Sequence, residues 1–370
     1  MNLQRHKRVI ISGGGTGGHV FPAIAIANAL RKLEPDIEIL FAGAEGRMEM
    51  EVVPRAGYNI IGLPVAGFNR KNMLKNAVVL IKLFKSMRIA ERIIKDYRPD
   101  VVVGVGGYAS GPVLRKAASR GIPILIQEQN SYPGITNKLL AKKASVICVA
   151  YQDMEKYFPA SKIILTGNPV RDSLNNISLL RDEALKYFRL MGKKPVVLVL
   201  GGSLGAGSIN RCLADNTETI AASGIHWIWQ TGKNYFEDIN ALVSVTGAEN
   251  ISVYPFIERM DLAYAAADVI VSRAGAGTIS ELCLAAKPVV LVPSPNVAED
   301  HQTKNAMALA GRDAGVVVKD SEVNIKLLPE VTALVNDSGR RKILSENIRG
   351  MAQLNSDIRI AEEVFKLIKG

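Results

Sequence analysis

The stretch GGGTGGH, residues 13–19, follows the apolar run Val9–Ile11 and precedes a second apolar segment at residues 20–27. This order predicts a glycine turn that carries the chain from a β-strand into a helix. The spacing Gly13-x-Gly15-x-x-Gly18 also satisfies the fingerprint of dinucleotide-binding domains. The turn is therefore compatible with a nicotinamide-dependent enzyme, and equally with a protein that binds the phosphate of another ligand at this helix start.

The strand-and-glycine pattern recurs in the second half of the chain. Three pairs of segments correspond in the same order: residues 9–19 with 195–210 (which contains GGSLGAGSIN), 100–112 with 268–281, and 122–130 with 287–296. The members of each pair lie roughly 165 to 190 residues apart. This repeat predicts an α/β fold with two doubly wound parallel-sheet domains. Ligands of such sheets collect at the carboxyl ends of the strands, so the two domains are expected to face a shared cleft.

The composition is that of a globular protein with an uneven charge distribution. The chain has 370 residues, of which 48% are hydrophobic and 22% charged, and this length favours two domains. Residues 1–170 hold 24 Lys and Arg against 12 Asp and Glu, whereas residues 171–370 hold 22 against 23. The basic first half is therefore expected to face an anionic partner. The polar start and the lack of a long apolar run predict a cytoplasmic protein.

Three cysteines, Cys148, Cys212 and Cys283, are widely spaced, and each lies among apolar residues. An odd number of isolated cysteines predicts reduced thiols in the core rather than a disulfide framework or a metal site.

A strongly basic segment spans residues 67–99. It holds nine Lys and Arg against two acidic residues, interleaved with large apolar side chains. A basic amphipathic segment of this kind can rest on an anionic membrane surface. The alternative is an ordinary helix with one face in the core and a solvated basic face.

Several motifs together resemble one family. They are GGGTGGHVFPAIAIA (13–27), GVGGYASGP (104–112), QEQNSYPGITNK (127–138), TGNPVR (166–171), GGSLGA (201–206), RAGAGTISE (273–281) and the pair His301-Gln302. In order and spacing they resemble the MurG family of bacterial glycosyltransferases, over residues 8–365. The resemblance implies the glycosyltransferase B fold, with two Rossmann-like domains facing a cleft. It implies an N-terminal acceptor- and membrane-facing domain at 1–168, a UDP-sugar-binding domain at 169–355 and a C-terminal helix at 356–370 that returns to the first domain.

The resemblance also implies a reaction. The family transfers N-acetylglucosamine with inversion from UDP-N-acetylglucosamine to the 4-hydroxyl of MurNAc in undecaprenyl-pyrophosphoryl-MurNAc-peptide (lipid I), which gives lipid II for peptidoglycan synthesis. The implied partners are these two substrates and an anionic membrane surface, without nucleic acid, and the implied location is peripheral, on the cytoplasmic face of the cell membrane. No cofactor is expected. The chain has no Asp-x-Asp pair to bridge a metal to a diphosphate, so no metal is expected either.

By resemblance, the donor-binding residues are Thr16, Gly17, Gly18, Asn130, Arg171, Ser203, Ile257, Ala276, Gly277, Thr278, Ile279, Ser280, Glu281 and Gln302. The helix expected to follow the glycines of the segment 273–281, with Glu281 about one turn into it, offers N–H groups and a positive dipole end to a diphosphate. Glu281 is placed to accept hydrogen bonds from ribose hydroxyls, although a helix-capping glutamate is the alternative. The main chain of Ile257 would hold uracil, and the amide of Gln302 suits sugar hydroxyls.

His19 is the catalytic candidate. It lies at a helix start, where the dipole disfavours imidazolium, so a neutral ring is expected to act as general base on a sugar hydroxyl. The alternative is a histidine that only orders the turn. The acceptor-side candidates are Gly106, Gly107, Tyr108 and Glu128. The family often has His where Gln127 stands, so no imidazole role carries over to that position.

Two further classes remain open from the residues alone. An NAD-dependent oxidoreductase expects an acidic residue at the end of the second strand, about 20 residues after the glycines. Here the apolar segment 37–42 ends at Gly43 and Glu45 comes late, which disfavours that class. A UDP-sugar 2-epimerase or another lipid glycosyltransferase would keep the same fold and change the reaction.

Overall fold

The computed structural model describes residues 6–67, 73–170, 174, 177–190, 194–202 and 205–369. Two of the predicted donor residues, Arg171 and Ser203, lie outside the described residues. Internal contacts divide the chain into two compact units. Unit 1 comprises Met1–Val170 with Asn355–Gly370, and unit 2 comprises Arg171–Leu354. The sequence-based boundaries at residues 168 and 355 lie beside these divisions.

Unit 1 contains a sheet in which seven described strands are parallel. The strands are β1 Arg8–Ser12, β2 Glu38–Ala44, β3 Asn59–Leu63, β4 Val101–Gly104, β5 Ile124–Glu128, β6 Val146–Val149 and β7 Ile163–Leu165, in the order β3-β2-β1-β4-β5-β6-β7. The first five helices are α1 Gly17–Leu33, α2 Glu49–Arg55, α3 Met73–Tyr97, α4 Ser110–Ser119 and α5 Ile135–Leu140. Every residue of β4 is buried, because helices cover both faces of a parallel sheet.

Unit 2 repeats this design with six described parallel strands. They are β8 Val196–Leu200, β9 His226–Gln230, β10 Ile251–Tyr254, β11 Val269–Ser272, β12 Val289–Leu291 and β13 Val316–Val317, in the order β10-β9-β8-β11-β12-β13. The helices are α6 Arg181–Tyr187, α7 Gly207–Asp215, α8 Thr217–Ala222, α9 Phe236–Thr246, α10 Met260–Ala266, α11 Ala276–Ala285, α12 His301–Ala310, α13 Val323–Asn336 and α14 Ser338–Arg349. The predicted pair of doubly wound sheets is confirmed.

Each of the two sheets has its own topological switch point, and the predicted glycine motifs lie there. In each sheet the first strand lies between its second and fourth strands, β1 between β2 and β4, and β8 between β9 and β11. The strand order reverses there, so the loops after these strands diverge and leave room for a ligand. The segments 13–16, 105–109, 201–202 and 273–275 directly follow those strands.

The last helix, α15 Ser356–Lys369, belongs to unit 1. Its side chains Ile360, Ala361 and Val364 are fully buried in the same core cluster as Val9 and Ile26. Arg359 also donates a hydrogen bond to the Leu165 carbonyl at 2.6 Å, which ties the helix to the end of β7. The chain therefore completes the core of its first unit after building the second.

The cysteines are packing residues. Cys148, Cys212 and Cys283 are free thiols, all of them buried. Burial raises the pKa of Cys212 to about 11, so the thiol stays protonated at neutral pH. Within the described part of the chain, no group of three or more His, Cys, Asp or Glu residues is arranged to hold a metal ion.

Candidate active site

The turn after β1 closes around a carboxylate from the protein itself. Gly14 and Gly15 have φ of +152° and +91°, conformations that favour glycine. The Gly15 N–H lies 3.0 and 3.1 Å from the two carboxylate oxygens of Glu49, which also accept the Ala44 N–H at 2.9 Å. A Cβ on Gly14 would lie 1.9 Å from Glu49 Oε1. Glu49 is 1% exposed, so the turn is built around a buried anion.

Glu49 bears directly on the dinucleotide alternative. In a dinucleotide-binding domain, N–H groups of this turn face the pyrophosphate. Here the Gly15 N–H is already bound to a carboxylate, and a second anion beside it would be repelled. In addition, the last residue of β2 is Ala44, and the acidic Glu45 comes only after the strand has ended. Sequence reasoning missed Glu49, whose only local signal is its position in the first turn of α2.

His19 is held between the N-cap of α1 and the turn after β4. Thr16 is the N-cap, with extended φ and ψ of −146° and 157°, and His19 is the third helical residue. The His19 Nδ1 lies 3.2 Å from Thr16 Oγ1. The opposite edge of the ring lies over Gly106, where an added Cβ would come within 2.9 Å of Nε2. A neutral ring that donates from Nδ1 to Thr16 keeps its lone pair on Nε2, where a general base needs it.

The turn after β4 interlocks with the turn after β1. Gly106 and Gly107 have φ of +96° and +82°. A Cβ on Gly107 would lie 2.4 Å from the Gly14 carbonyl oxygen, so the two backbones approach each other as only glycine allows. The Ser110 hydroxyl donates to the Gly106 carbonyl at 2.6 Å and lies 3.1 Å from the Ser12 carbonyl. The structure thus brings His19, Gly106 and Gly107 together, with Tyr108 60% exposed beside them.

Glu128 lies beneath its own loop. It is 2% exposed, and its two oxygens accept hydrogen bonds from the Asn130 N–H, the Gly134 N–H and the Asn137 amide, at 3.0, 3.2 and 2.8 Å. Burial raises the pKa of Glu128, and these hydrogen bonds oppose the rise. The Asn130 side-chain amide also donates to it at 3.2 Å. The carboxyl group therefore orients Asn130 and the loop after β5 rather than projecting from it.

The start of α11 is open to a ligand. Gly275 is the N-cap, so Ala276, Gly277 and Thr278 are the first three helical residues, whose N–H groups have no acceptor within the helix. A Cβ on Gly277 would meet no atom within 4 Å, and the first turn carries no acidic residue. These features suit a diphosphate.

Two other predicted residues of α11 serve the helix itself. Ile279 is 2% exposed, so its side chain belongs to the core, and its N–H donates to the Gly275 carbonyl at 2.9 Å. The Ser280 hydroxyl lies 3.2 Å from the Ala276 carbonyl and donates to it. Both residues lie at the predicted helix start and help to form it.

Glu281 is not a helix cap. It is the sixth residue of α11, whereas a capping-box glutamate occupies the third position. The hydroxyl of the fully buried Tyr264 donates to Glu281 Oε2 at 3.0 Å and fixes the side chain. A carboxylate oriented in this way is suited to the paired hydroxyls of a ribose.

Gln302 joins two loops of unit 2. Its Oε1 accepts hydrogen bonds from the Ala274 N–H at 3.3 Å and the Ser294 N–H at 2.9 Å. These bonds orient the side chain, so its NH₂ end is the end that can donate to a ligand.

The main-chain N–H of Ile257, which was expected to be available to uracil, already has a partner within the protein. Its N–H donates to the Gln230 side-chain oxygen at 3.1 Å, and the residue is 3% exposed. A uracil at this position would therefore meet the Ile257 carbonyl unless Gln230 moved.

Arg273 braces the loop before α11. One guanidinium nitrogen donates to Asp320 at 2.5 Å and to the Val292 carbonyl at 3.0 Å, and the other donates to Ser208 at 2.9 Å. Burial tends to raise the pKa of Asp320, but the hydrogen bonds from Ser208 and Arg273 outweigh burial and lower it. This cluster fixes the loop from below.

Helix α3 exposes an unusual amount of apolar surface. Residues 80–85 are all exposed. The largest exposed apolar side chains are Val78, Leu80, Ile81, Leu83 and Phe84, at 55%, 56%, 69%, 38% and 62%. The Arg88 guanidinium lies 4.6 Å from the centre of the Phe84 ring. Among the described helices, none has the length and apolar composition needed to cross a bilayer. We refer to residues 78–88 of α3 as the basic apolar patch.

Two switch-point sheets in one chain, each with glycine loops after its first and fourth strands, are the architecture of two-domain glycosyltransferases and of other nucleotide-sugar enzymes with the same fold. A family model for the glycosyltransferase family 28 N-terminal domain matches residues 9–149, and one for the C-terminal domain matches residues 196–363. The chain belongs to the MurG family of these glycosyltransferases.

Two curated relatives carry the same name. The UDP-N-acetylglucosamine–N-acetylmuramyl-(pentapeptide) pyrophosphoryl-undecaprenol N-acetylglucosamine transferase of Parabacteroides distasonis is 55% identical, over 98% of this chain and 99% of the relative. The transferase of the same name from Phocaeicola vulgatus is 57% identical, over 99% and 97%. The crystal structure of Acinetobacter baumannii MurG is 30% identical, with a TM-score of 0.79 over 97% of this chain and 99% of that chain. The predicted family, fold and enzyme class are confirmed, and the oxidoreductase and epimerase alternatives are not favoured.

Proposed function

We propose that this chain transfers N-acetylglucosamine from UDP-N-acetylglucosamine to the 4-hydroxyl of MurNAc in undecaprenyl-pyrophosphoryl-MurNAc-peptide, and so makes lipid II from lipid I for peptidoglycan synthesis. The observation that carries the chemistry is the imidazole of His19, held by Thr16 on one edge and lying over Gly106 on the other. The choice of substrates rests on the identity of 55% and 57% to transferases with those substrates in their names.

In the proposed mechanism, His19 is the general base. Its Nε2 accepts the proton of the 4-hydroxyl, and the hydroxyl oxygen attacks C1 of the donor sugar on the face opposite the diphosphate. The C1–O bond breaks, and UDP departs with the electron pair, which inverts the configuration at C1. The N–H groups of Gly277 and Thr278, in the first turn of α11, would stabilise the charge that develops on the diphosphate.

The remaining site residues divide between the two units. Unit 2 would bind the donor through Ala276, Gly277 and Thr278, with Glu281 on the ribose and Gln302 on the sugar. Arg171, Ser203 and Ile257 stay donor-binding predictions. Unit 1 would bind the acceptor at Gly106–Tyr108, with Thr16, Gly17 and Gly18 facing the reacting bond and Asn130 held ready by Glu128.

The deciding experiment supplies labelled UDP-N-acetylglucosamine with a lipid-diphosphate muramyl peptide. We expect a labelled disaccharide lipid with a β-linkage, and no change in the donor when the acceptor is omitted. Isomerised sugar nucleotide without acceptor would instead identify an epimerase. Tight binding of NADH in place of the sugar nucleotide would identify an oxidoreductase.

Gln302→Glu tests the donor-sugar contact. Glutamate keeps an oxygen for the Ala274 and Ser294 N–H groups but loses the NH₂ donor, so the loops should hold while the sugar loses a hydrogen bond. We expect the KM for UDP-N-acetylglucosamine to rise about fivefold, because one hydrogen bond to the sugar contributes about 1 kcal/mol. UDP, which lacks the sugar, serves as the matched ligand, and its loss of affinity should be clearly smaller. Equal weakening of both ligands would contradict the assignment.

We also propose that the basic apolar patch docks the protein on the cytoplasmic face of the anionic cell membrane. Five large apolar side chains exposed on one helix exceed what a solvated surface helix needs. Lys82, Lys85 and Arg88 are exposed among them and supply positive charge. Apolar insertion and attraction to anionic lipid would then act together, and nucleic acid has no part in this proposal.

The patch is tested by charge reversal. We expect Lys82→Glu with Lys85→Glu to weaken binding to vesicles of anionic phospholipid at least about thirtyfold, because each cation near the surface contributes about 1 kcal/mol. The matched control reverses Lys326 and Lys342 of unit 2, which are 53% and 77% exposed, and should bind as the unaltered protein does. Equal effects of the two pairs in vesicle sedimentation would refute docking through the patch.

A further inference from the structure

Gln129 carries a buried carbonyl oxygen without a partner. The residue directly follows β5 and is 1% exposed, and among the described residues its Oε1 accepts no hydrogen bond. Buried polar side-chain atoms are nearly always paired, so an exception needs a physical explanation.

A chain of amides fixes which way Gln129 points. Its Nε2 donates to the Val105 carbonyl at 2.7 Å and to Gln127 Oε1. The Gln127 oxygen faces Gln129 because the Gln127 NH₂ group donates to Asn168 Oδ1 at 2.8 Å. Asn168 in turn donates to the Gln129 main-chain carbonyl at 3.0 Å. A flip of the Gln129 carboxamide would break two hydrogen bonds, so the direction of Oε1 is set.

The unpaired oxygen lies on the side of Gly106 that supports the base. A Cβ placed on Gly106 would lie 3.8 Å from Gln129 Oε1 and 2.9 Å from His19 Nε2, so both groups lie within 4 Å of one point. Gln129 also binds the carbonyl of Val105, the residue immediately before Gly106. One side chain therefore anchors the turn that contacts His19 and also places the partial negative charge of its carbonyl oxygen near the imidazole.

We propose, on the basis of the proposed function, that Gln129 is a positioning residue for His19. It holds the Gly106 turn against the imidazole, and its Oε1 stabilises the imidazolium that forms when Nε2 takes the proton of the acceptor hydroxyl. The electron pair of the O–H bond stays on the oxygen that attacks C1, the electron pair of the broken C1–O bond leaves with UDP, and the proton passes from Nε2 to water after product release. A dipole that is already fixed in place stabilises this charge without reorganising.

Gln127 fixes the orientation of the Gln129 carboxamide through its own two hydrogen bonds. It uses its acceptor end toward Gln129 and its donor end toward Asn168. A neutral imidazole also has one acceptor nitrogen and one donor nitrogen, so histidine at this position can maintain the same chain. Leucine can do neither.

The test compares Gln129→Met, which is close in size and cannot form these hydrogen bonds, with Tyr58→Phe. The control removes a 2.7 Å hydrogen bond to Asn28 in the same unit, away from the glycine turns. For Gln129→Met we expect kcat to fall at least about tenfold with the Kd for UDP within about twofold, as for a residue that acts through the base. The ring signals of His19 in the free protein, with isotope-labelled histidine, should shift; they are assigned among four histidines by comparison with His19→Ala. Tyr58→Phe should change neither kcat nor these signals.

Three further variants complete the test. In the His19→Ala background, Gln129→Met should cause no additional loss, because the residue acts through His19. Gln127→His should keep kcat within about threefold, whereas Gln127→Leu should lower kcat and shift the His19 signals as Gln129→Met does. Gln127→Leu also replaces Gln129→Met in the test if Gln129→Met does not fold. The proposal would be overturned if Gln129→Met left both the His19 signals and kcat unchanged. It would also be overturned if Gln129→Met lowered kcat by the same factor in the His19→Ala background as in the unaltered protein. If the ring signals respond but the unaltered protein makes no disaccharide lipid, the proposed function fails and the positioning role stands.

Discussion

Replacing His19 with alanine is expected to lower kcat about a thousandfold, because a positioned general base contributes on the order of 10² to 10⁴ to the rate. The donor should still bind, since the residues proposed to hold it belong mainly to unit 2, whereas His19 lies in unit 1. The measurement is steady-state kcat with the lipid acceptor, together with the Kd for UDP-N-acetylglucosamine by calorimetry. We expect the Kd to stay within about twofold.

Thr16→Val is the companion variant. It keeps the size of the side chain and removes the hydroxyl that lies 3.2 Å from His19 Nδ1, so the ring stays but loses the contact that selects its tautomer. An intermediate loss in kcat, about tenfold, is expected. A His19→Ala variant that keeps a tenth of the activity or more would refute the role of His19 as general base. A large loss of donor affinity in that variant would refute the proposal that unit 2 binds the donor.

The second large effect is expected from Gly107→Ala. Alanine at a φ of +82° costs about 1–2 kcal/mol, and its Cβ would lie 2.4 Å from the Gly14 carbonyl oxygen, a backbone atom of the interlocked turn. Together with about 1–3 kcal/mol for overpacking, the unfolding free energy of unit 1 should fall by about 2–5 kcal/mol. The transition that reports on unit 1 in a urea titration measures this loss, and kcat should fall with it because the turn carries Gly106 beneath His19.

Gly121→Ala is the matched control for that loss. Gly121 also has a positive φ, of +73°, but an added Cβ there meets no atom within 4 Å. It should therefore cost only the conformational term, about 1–2 kcal/mol, and leave kcat unchanged. Equal destabilisation by the two alanines would mean that the contact between the turns contributes nothing.

The local part of the site was predictable from the sequence. Glycines after apolar strands mark both switch points, and the presence of a helix after each of these turns follows from the same pattern. The choice between a ribose ligand and a helix cap for Glu281 depended on where α11 begins, which a single sequence does not fix to one residue. With Gly275 as the N-cap, Glu281 lies too far along the helix to cap it.

What the sequence could not supply are contacts between distant residues. The carboxylate of Glu49 reaches a turn 34 residues earlier, and the amide of Gln129 reaches the carbonyl of a residue 24 positions earlier. Neither residue type is unusual where it stands, and only the folded sheet brings each to its partner. The burial of Ile279 has the same origin, because the resemblance marks the helix start but not which of its side chains face the core.

The position of α15 has a consequence for how the protein is made. Unit 1 needs Ile360, Ala361 and Val364 to fill the core beside α1 and β1. These residues emerge from the ribosome only after all of unit 2 has been synthesised. Unit 2 can therefore fold first. Until α15 has been synthesised, unit 1, which contains the proposed base, exposes apolar core surface that chaperones or proteases can recognise. A nascent chain released before α15 would carry a folded unit 2 and a unit 1 whose core is incomplete.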